Sequence, residues 1–271
     1  MKKRGKGIAS TFYGTGYGNG YPDVSNAIAE LLNDGLVAIY TGAAEVGQGA
    51  KTVMSQIAAE VLGLPIKDII FFNEDTSITP DAGTAAASRQ TYNTGNAVKL
   101  AAEKLKAELV SQAVKELNLN SDIGLACQGG NIYVKNFPGK CISFRDIALL
   151  NKANIRQEAT FIAQTIQMDT ETGQGAPYWP YTFTACAVEV EVDTETGRVE
   201  VLKAAQAQDV GRAINPTLIE GQMDGGFAMG MGYALYEDLG IEAGQIINQR
   251  LSSYIIPTAM DMPKMHNIIV E

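Results

Sequence analysis

The chain has 271 residues, 46% hydrophobic and 19% charged, a composition for a buried globular core that excludes a disordered tail. Lys and Arg total 21 against 30 Asp and Glu, and the resulting formal charge of −9 argues against nucleic acid or an anionic membrane as partner. No apolar run approaches the ~20 residues of a membrane span. Met1-Lys2-Lys3-Arg4 leads into Gly5-Lys6-Gly7, not into the apolar stretch of a signal peptide. Cys127, Cys141 and Cys186 are widely spaced with no CxxC pair, which argues against an iron–sulfur motif or zinc ribbon and suits a reducing cytoplasm. His266 is the only histidine, so His-rich metal sites and any triad not built on it are excluded.

The first twenty-odd residues mix glycine with aromatics: Phe12, Tyr13, Gly14, Gly16, Tyr17, Gly18, Gly20 and Tyr21. They read either as a flexible leader or as a loop laying rings over a pocket. Asn33-Asp34-Gly35 between two apolar runs predicts a hairpin. Met54, Ile57, Ala58 and Val61 fall on one face, predicting a helix over about 50–62 that Gly63 and Pro65 stop. Residues 66–72 read as a short strand. The stretch 73–96 is polar and small, and a long amphipathic helix is expected over about 95–117. Short strands and loops are expected over 118–175. The alternation of Val188, Val190 and Val192 with Glu189 and Glu191, a turn at Thr194-Glu195-Thr196-Gly197, then Val199 and Val201, predict a second hairpin. Asn215-Pro216 opens a helix that carries Gly221, Gly225, Gly226, Gly230 and Gly232. Interior glycine costs about 1 kcal/mol per residue in a helix, so the close approach of another helix or of a bound group is expected to compensate. The mixture reads as an α+β fold of mixed sheets with hairpins and packed helices, in two intimately associated subdomains, 1–165 and 166–271.

Three glycine- or alanine-rich segments are candidate ligand sites, each beside a plainer reading. Gly47-Gln48-Gly49 stands at a helix start, where unpaired N–H groups and the helix dipole favour a negative group. A simple glycine turn is the alternative, and neither a Walker loop nor the dinucleotide G-x-G-x-x-G spacing is present. Thr84 to Thr91 could expose backbone amides and the Ser88 and Thr91 hydroxyls, or be an ordinary surface loop. Gln222 lies among the glycines of the third segment, which could instead serve tight helix–helix packing. Glu45 reads as a base or as a helix-start carboxylate, His266 as a surface histidine, and the cysteines as small buried residues.

Taken together and in order, these segments resemble the molybdenum hydroxylases, the xanthine dehydrogenase and aldehyde oxidase family. The likeness is to the C-terminal half of the molybdopterin-binding large subunit. The matching blocks are Val46-Gly47-Gln48-Gly49 with Thr52 and Ala58-Glu60-Leu62-Gly63-Pro65; Asp75-Thr76 through Pro80-Asp81-Gly83, Ala86-Ala87-Ser88-Arg89-Thr91 and Gly95-Asn96-Ala97; Val188-Val190-Asp193-Thr196-Gly197; Asp209-Gly211-Ile214-Asn215-Pro216 with Gly221-Gln222-Gly225-Gly230-Gly232-Tyr233-Ala234-Leu235; and Tyr254-Ile256-Pro257-Thr258-Asp261-Pro263. They span essentially the whole chain, and five ordered blocks are specific where each alone is weak.

The resemblance implies a half-shell around a molybdenum–pterin cofactor, in the cytosine dinucleotide form, shared with a companion chain. It implies hydroxylation of an aromatic N-heterocycle (purine- or nicotinate-like) or an aldehyde, with oxygen from water. Carried over residue by residue, Gly47, Gln48 and Gly49 would contact the pterin and phosphate end. Ala86 and Ala87 would lie close to the metal, Ser88 and Thr91 would hydrogen-bond the cofactor tail, and Gln222 would bond the pterin. Tyr13 would pack against a flat substrate. The family's metal is held by the pterin dithiolene, so no protein metal ligand is assigned. The family's catalytic glutamate lies in a GxKGxGE-like run after the DxP segment. No such run is present here, and Glu271 lacks its context, so no catalytic residue is assigned and the chain alone is expected to be inactive. The implied partners are a companion chain with the N-terminal half, an iron–sulfur subunit and a flavin subunit, in a cytoplasmic heteromeric complex. Two other readings remain: a scaffold or degenerate relative that binds a partner subunit without cofactor, and an unrelated phosphate-binding α/β protein.

Overall fold

A computed structural model describes residues 1–18, 21, 23–151 and 155–271. In chain order the elements are β1 (Lys2–Gly14), β2 (Val24–Leu31), β3 (Val37–Tyr40), α1 (Ala50–Leu62), β4 (Ile69–Phe72), α2 (Gln90–Glu116), β5 (Leu125–Gln128), β6 (Asn131–Val134), β7 (Phe137–Ser143), α3 (Phe144–Leu150) and β8 (Ile155–Ile162). They continue with β9 (Tyr181–Asp193), β10 (Val199–Asp209), α4 (Pro216–Leu235), β11 (Ile241–Glu242), β12 (Gln245–Ile246) and β13 (Lys264–Val270). The α+β class with mixed sheets holds. The chain divides into two compact units, 14–180 and 1–13 with 181–271, rather than at 165/166. The first strand therefore joins residues almost two hundred positions away. Such long-range pairing leaves no local sequence signal.

In the 14–180 unit a four-stranded sheet runs β4-β3-β2-β8, with β2 antiparallel to both β3 and β8 and β3 parallel to β4. The expected hairpin joins β2 and β3. Gly35 takes φ 89° at the turn, and Asp34 Oδ1 accepts the Leu36 N–H at 3.1 Å. A dry core lies among β2, β3, α1 and α2, with Leu31, Val37, Ile39, Met54, Leu62, Val98, Leu105 and Leu109 buried. Helix α1 matches its expected span. It ends at Gly63 in the left-handed region, where a Cβ would also collide with the Cys127 carbonyl.

Helix α2 begins at Gln90, about a turn and a half before its expected start. Its first turns bury Asn93 and Thr94, polar groups that periodicity cannot reveal. Residues 66–68 form a 3₁₀ turn before β4. The segment after α2 holds the meander β5-β6-β7 and α3, an unexpected helix whose start is capped by Ser143 accepting the Asp146 N–H at 3.0 Å.

In the other unit the sheet order is β1-β9-β10-β13, with β9 antiparallel and β13 parallel to β10. The expected second hairpin joins β9 and β10, and Asn215 caps α4 by accepting the Leu218 N–H at 3.1 Å. Phe12, Tyr13 and Gly14 of the glycine- and aromatic-rich opening belong to strand β1, and Phe12 stacks on Tyr181 with centroids 4.7 Å apart. Gly20, part of that opening, lies outside the described residues. Cys127 and Cys186 are half-buried and Cys141 is exposed, so none is the fully buried small residue expected, and all three are free thiols. No helix among the described residues is long and apolar enough to cross a membrane.

Candidate functional site: a strained alanine–serine turn and an open glycine helix

The loop from Asp81 to Arg89 crosses one end of the β2–β3 sheet. Ala87 and Ser88 both sit in the left-handed region, at φ 52° and 55°, and Ala86 O accepts the Arg89 N–H at 3.3 Å. This is the pattern of a type I′ turn, which glycine, asparagine and aspartate normally fill. An L-residue with a Cβ pays about 1–2 kcal/mol for that conformation. Strain of this kind persists where the surroundings over-determine it, and it concentrates where a ligand is clamped. Ala86 and Ser88 are exposed, Ala87 is half-buried, and Thr91 is exposed on the first turn of α2.

Beneath the turn lies Arg89, only 1% exposed. Its Nε donates to Asp23 Oδ1, its Nη1 to the carbonyls of Ala82 (2.8 Å) and Thr84 (3.1 Å), and its Nη2 to Val24 O (2.7 Å) and Ser25 Oγ (3.1 Å). Asp23 is buried too, and it also accepts the Asn93 amide at 2.5 Å and the Tyr17 N–H at 3.3 Å. Gly16 N–H donates to Ala87 O at 3.0 Å, and the Tyr17 ring lies 5.6 Å from the guanidinium carbon. The aromatic opening thus does lay a ring over a polar cluster, through Tyr17. Asp23 and its pairing with Arg89 are what sequence reading missed. The available signal was a lone arginine inside a run of small residues.

Gly47-Gln48-Gly49 differs from its expectation. Gly47 and Gly49 take φ 104° and 91° at the start of α1, as a glycine turn requires. Their N–H groups are not unpaired. Glu45 Oε1 accepts those of Gly47 (2.8 Å) and Gly49 (3.0 Å), and Oε2 accepts that of Lys51 (3.0 Å). Burial pushes the Glu45 carboxyl upward, but the N–H groups of Gly49, Lys51, Gly47 and Ala50 outweigh it and hold the group below the ordinary glutamate range. Glu45 is therefore the helix-start carboxylate, and a phosphate does not fit these amides while it stays. Gln48 is also engaged: its Nε2 donates to Ala44 O (2.8 Å) and Gln90 Oε1 (2.7 Å), and its Oε1 accepts the Val46 N–H (2.7 Å). The Gln48–Gln90 bond ties the first two candidate segments together in one unit.

The third segment and Tyr13 belong to the other unit. A Cβ built on Gly221, Gly225, Gly226 or Gly230 of α4 would meet nothing within 4 Å, so helix–helix packing among the described residues does not explain these glycines. Gln222 is exposed, and its side chain makes no hydrogen bond among the described residues. Tyr13 is 39% exposed near the end of β1, on the opposite strand face from Phe12. His266 is exposed on β13, and Glu271 accepts the Ala213 N–H at 2.8 Å.

Residues 1–263 match the molybdopterin cofactor-binding domain family. The chain belongs to that family. Within it, the chain is 32% identical to the xanthine dehydrogenase molybdenum-binding subunit of Escherichia coli O157:H7, over 99% of this chain and 35% of that protein. It is 31% identical to subunit gamma of the 6-hydroxypseudooxynicotine dehydrogenase complex of Paenarthrobacter nicotinovorans, over 89% of this chain and 30% of that protein. Quinoline 2-oxidoreductase from Pseudomonas putida 86 shares the fold, with a TM-score of 0.84 at 24% identity, over all of this chain and 35% of that one. The chain spans about a third of the length of these relatives.

For a molybdenum–pterin group the candidate residues fit unevenly. The exposed Ala86–Ser88 turn, with small side chains and the Ser88 hydroxyl, suits the close approach of a flat group with polar edges. The open glycine face of α4, beside an unengaged Gln222 amide, suits it as well. The Gly47–Gly49 amides do not fit as anion donors.

Proposed function

We propose that this chain is the molybdopterin-binding component of a heteromeric molybdenum hydroxylase that oxidises an aromatic N-heterocycle or an aldehyde with oxygen from water. Membership of the family supports a molybdenum–pterin cofactor, and the strained Ala87–Ser88 turn is the observation in this chain that carries the reading. When bound, the group supplies two-electron oxidation at a metal held by its own dithiolene.

The chain's residues orient that group. Ala86 and Ala87 leave room beside the metal. Ser88 and Thr91 donate hydroxyl hydrogen bonds to the cofactor tail. Gln222 pairs its amide with the pterin edge, which has complementary donors and acceptors. Gly47 and Gly49 serve by letting the group approach bare backbone, and Gln48 by exchanging its bond to Gln90 or Ala44 for one to the pterin. Tyr13 stacks on the flat substrate. The companion chain with the N-terminal half, an iron–sulfur subunit and a flavin subunit complete the enzyme, and the free thiols suit a reducing cytoplasm. The cofactor form proposed is the cytosine dinucleotide.

The occupied Gly47–Gly49 amides favour a second reading, a cofactor-free scaffold that holds a partner subunit. Metal and pterin analysis of the complex purified with its companion subunits separates the two. About one molybdenum per chain, with cytidine monophosphate released on acid hydrolysis, is expected. An active complex without molybdenum ends the first reading. Tyr13→Ala is expected to raise KM about two- to tenfold, from lost stacking of about 0.5–1.5 kcal/mol, at unchanged metal content. Unaltered kinetics remove Tyr13 from the substrate pocket.

A further inference from the structure

A buried arginine whose bonds reach two separate earlier segments of the chain is an expensive way to fill a core, and the bonds of Arg89 are distributed in a telling manner. Two go to carbonyls of the loop itself, Ala82 and Thr84. Three go to Asp23, Val24 and Ser25 at the start of β2. One planar guanidinium therefore clamps the loop to the sheet, and its rigid fork meets all five acceptors at once. The fit is close: at Gly83, with φ 72°, a Cβ would come within 2.8 Å of Nη1. Asp23 holds the charge in place and also binds Asn93 and the Tyr17 N–H, so the N-terminus of α2 and the aromatic opening share the same anchor. Ser25 Oγ, which accepts from Arg89, donates to Ala82 O at 2.7 Å and closes the network. The residue directly before this anchor is the second of two left-handed L-residues. Nothing else in the local sequence favours that backbone. Alanine and serine relax toward negative φ once released.

We propose that Arg89, locked by Asp23, is the positioning residue that keeps the Ala87–Ser88 turn in the left-handed shape through which this chain meets its cofactor. The proposal rests on the molybdopterin-binding reading above. It assigns Arg89 no contact with the cofactor. Arg89 acts by fixing the direction of the Ala87 and Ser88 amides and of the Ser88 hydroxyl.

The test compares Arg89→Lys with Leu105→Ala, a core truncation in the same unit remote from the loop, in the complex expressed with its companion subunits. Lysine keeps the charge but cannot reach five acceptors. Molybdenum per chain is expected to fall about tenfold in R89K, while L105A, at an equal or larger drop in Tm, keeps its metal. Ala87→Gly, which removes the left-handed penalty, is expected to restore metal several-fold in R89K. Should R89K not fold, the isosteric Asp23→Asn takes its place with the same expectations. R89K loading molybdenum like the parent, or losing no more than L105A, overturns the proposal. A parent complex without molybdenum overturns the functional reading. The turn itself then decides the positioning role: proteolytic cleavage between Gly83 and Ser88 rises about tenfold in R89K over L105A if Arg89 holds the loop, and equal cleavage overturns it.

Discussion

The two compact units differ in what holds them together. The 14–180 unit contains the whole continuous core, with alanine, leucine, isoleucine and valine of β2, β3, α1 and α2 packed at or near zero exposure. In the other unit the buried hydrophobic residues are Ala204, Met223 and Met231, while Ile8, Phe12, Phe183, Met229 and Tyr233 are exposed, Tyr233 at 83%. An open groove of about 770 Å³ crosses its sheet between Ala187, Ala205, Lys203, Lys264 and His266. Helix α4 has no single apolar face, and beyond Asp224 it carries no charged residue, a pattern closer to a covered helix than to a solvated one. The first unit is stabilised by its own interior. The second has the sequence of a buried structure and too little interior of its own, so its stability depends on what covers it.

The largest expected effect breaks the molecule along this difference. Residues 14–180 expressed alone are expected to unfold in one cooperative urea transition, and 181–271 alone to show none. Two transitions of similar midpoint would end the comparison. Next, Leu105→Ala should cost about 2–5 kcal/mol, read as a lower urea midpoint at constant slope, because α2 leaves a cavity that its neighbours cannot fill.

Glu45→Gln should cost about 1 kcal/mol by weakening the carboxylate bonds at the start of α1. Its pH dependence has a definite sign. The folded carboxyl lies below its ordinary value, so its stabilisation is complete above the unfolded pKa of about 4.3 and disappears as pH falls through the depressed folded value. The difference between parent and variant should therefore be constant near neutrality and vanish in acid; a difference that persists in acid would assign the effect to packing.

The smallest effect is the sharpest for the second unit. Gly226→Ala places a methyl where nothing stands within 4 Å and removes an interior helix glycine, so the chain alone should gain up to about 1 kcal/mol. In the assembled complex the same methyl should lower metal content or subunit association. A lower Tm for the chain alone would show that the face is already packed.

Elements with a local signal were legible. The Asp34-Gly35 hairpin, α1 between its glycine turns, the valine–glutamate hairpin and the Asn215-Pro216 cap all follow from period, turn chemistry and capping. The apolar stripe gave α2 without its first turns, because Asn93 and Thr94 are buried by hydrogen bonding instead of by hydrophobicity. Strand β1 was illegible, since glycine and lysine are poor strand formers and its partner, β9, is distant. At the candidate site, residue choice singled out the Gly47–Gly49 and Thr84–Thr91 segments, but it could not show that Glu45 already holds the Gly47–Gly49 amides.

By itself the sequence determined the family, the elements that carry a local signal and the places where glycine leaves backbone bare, because side-chain size, period and turn chemistry are local properties. Tertiary structure decided which of those bare places remain open. Carboxylate, guanidinium and amide groups far apart in the chain compete for the same backbone donors and acceptors, and only their final distances say which are taken.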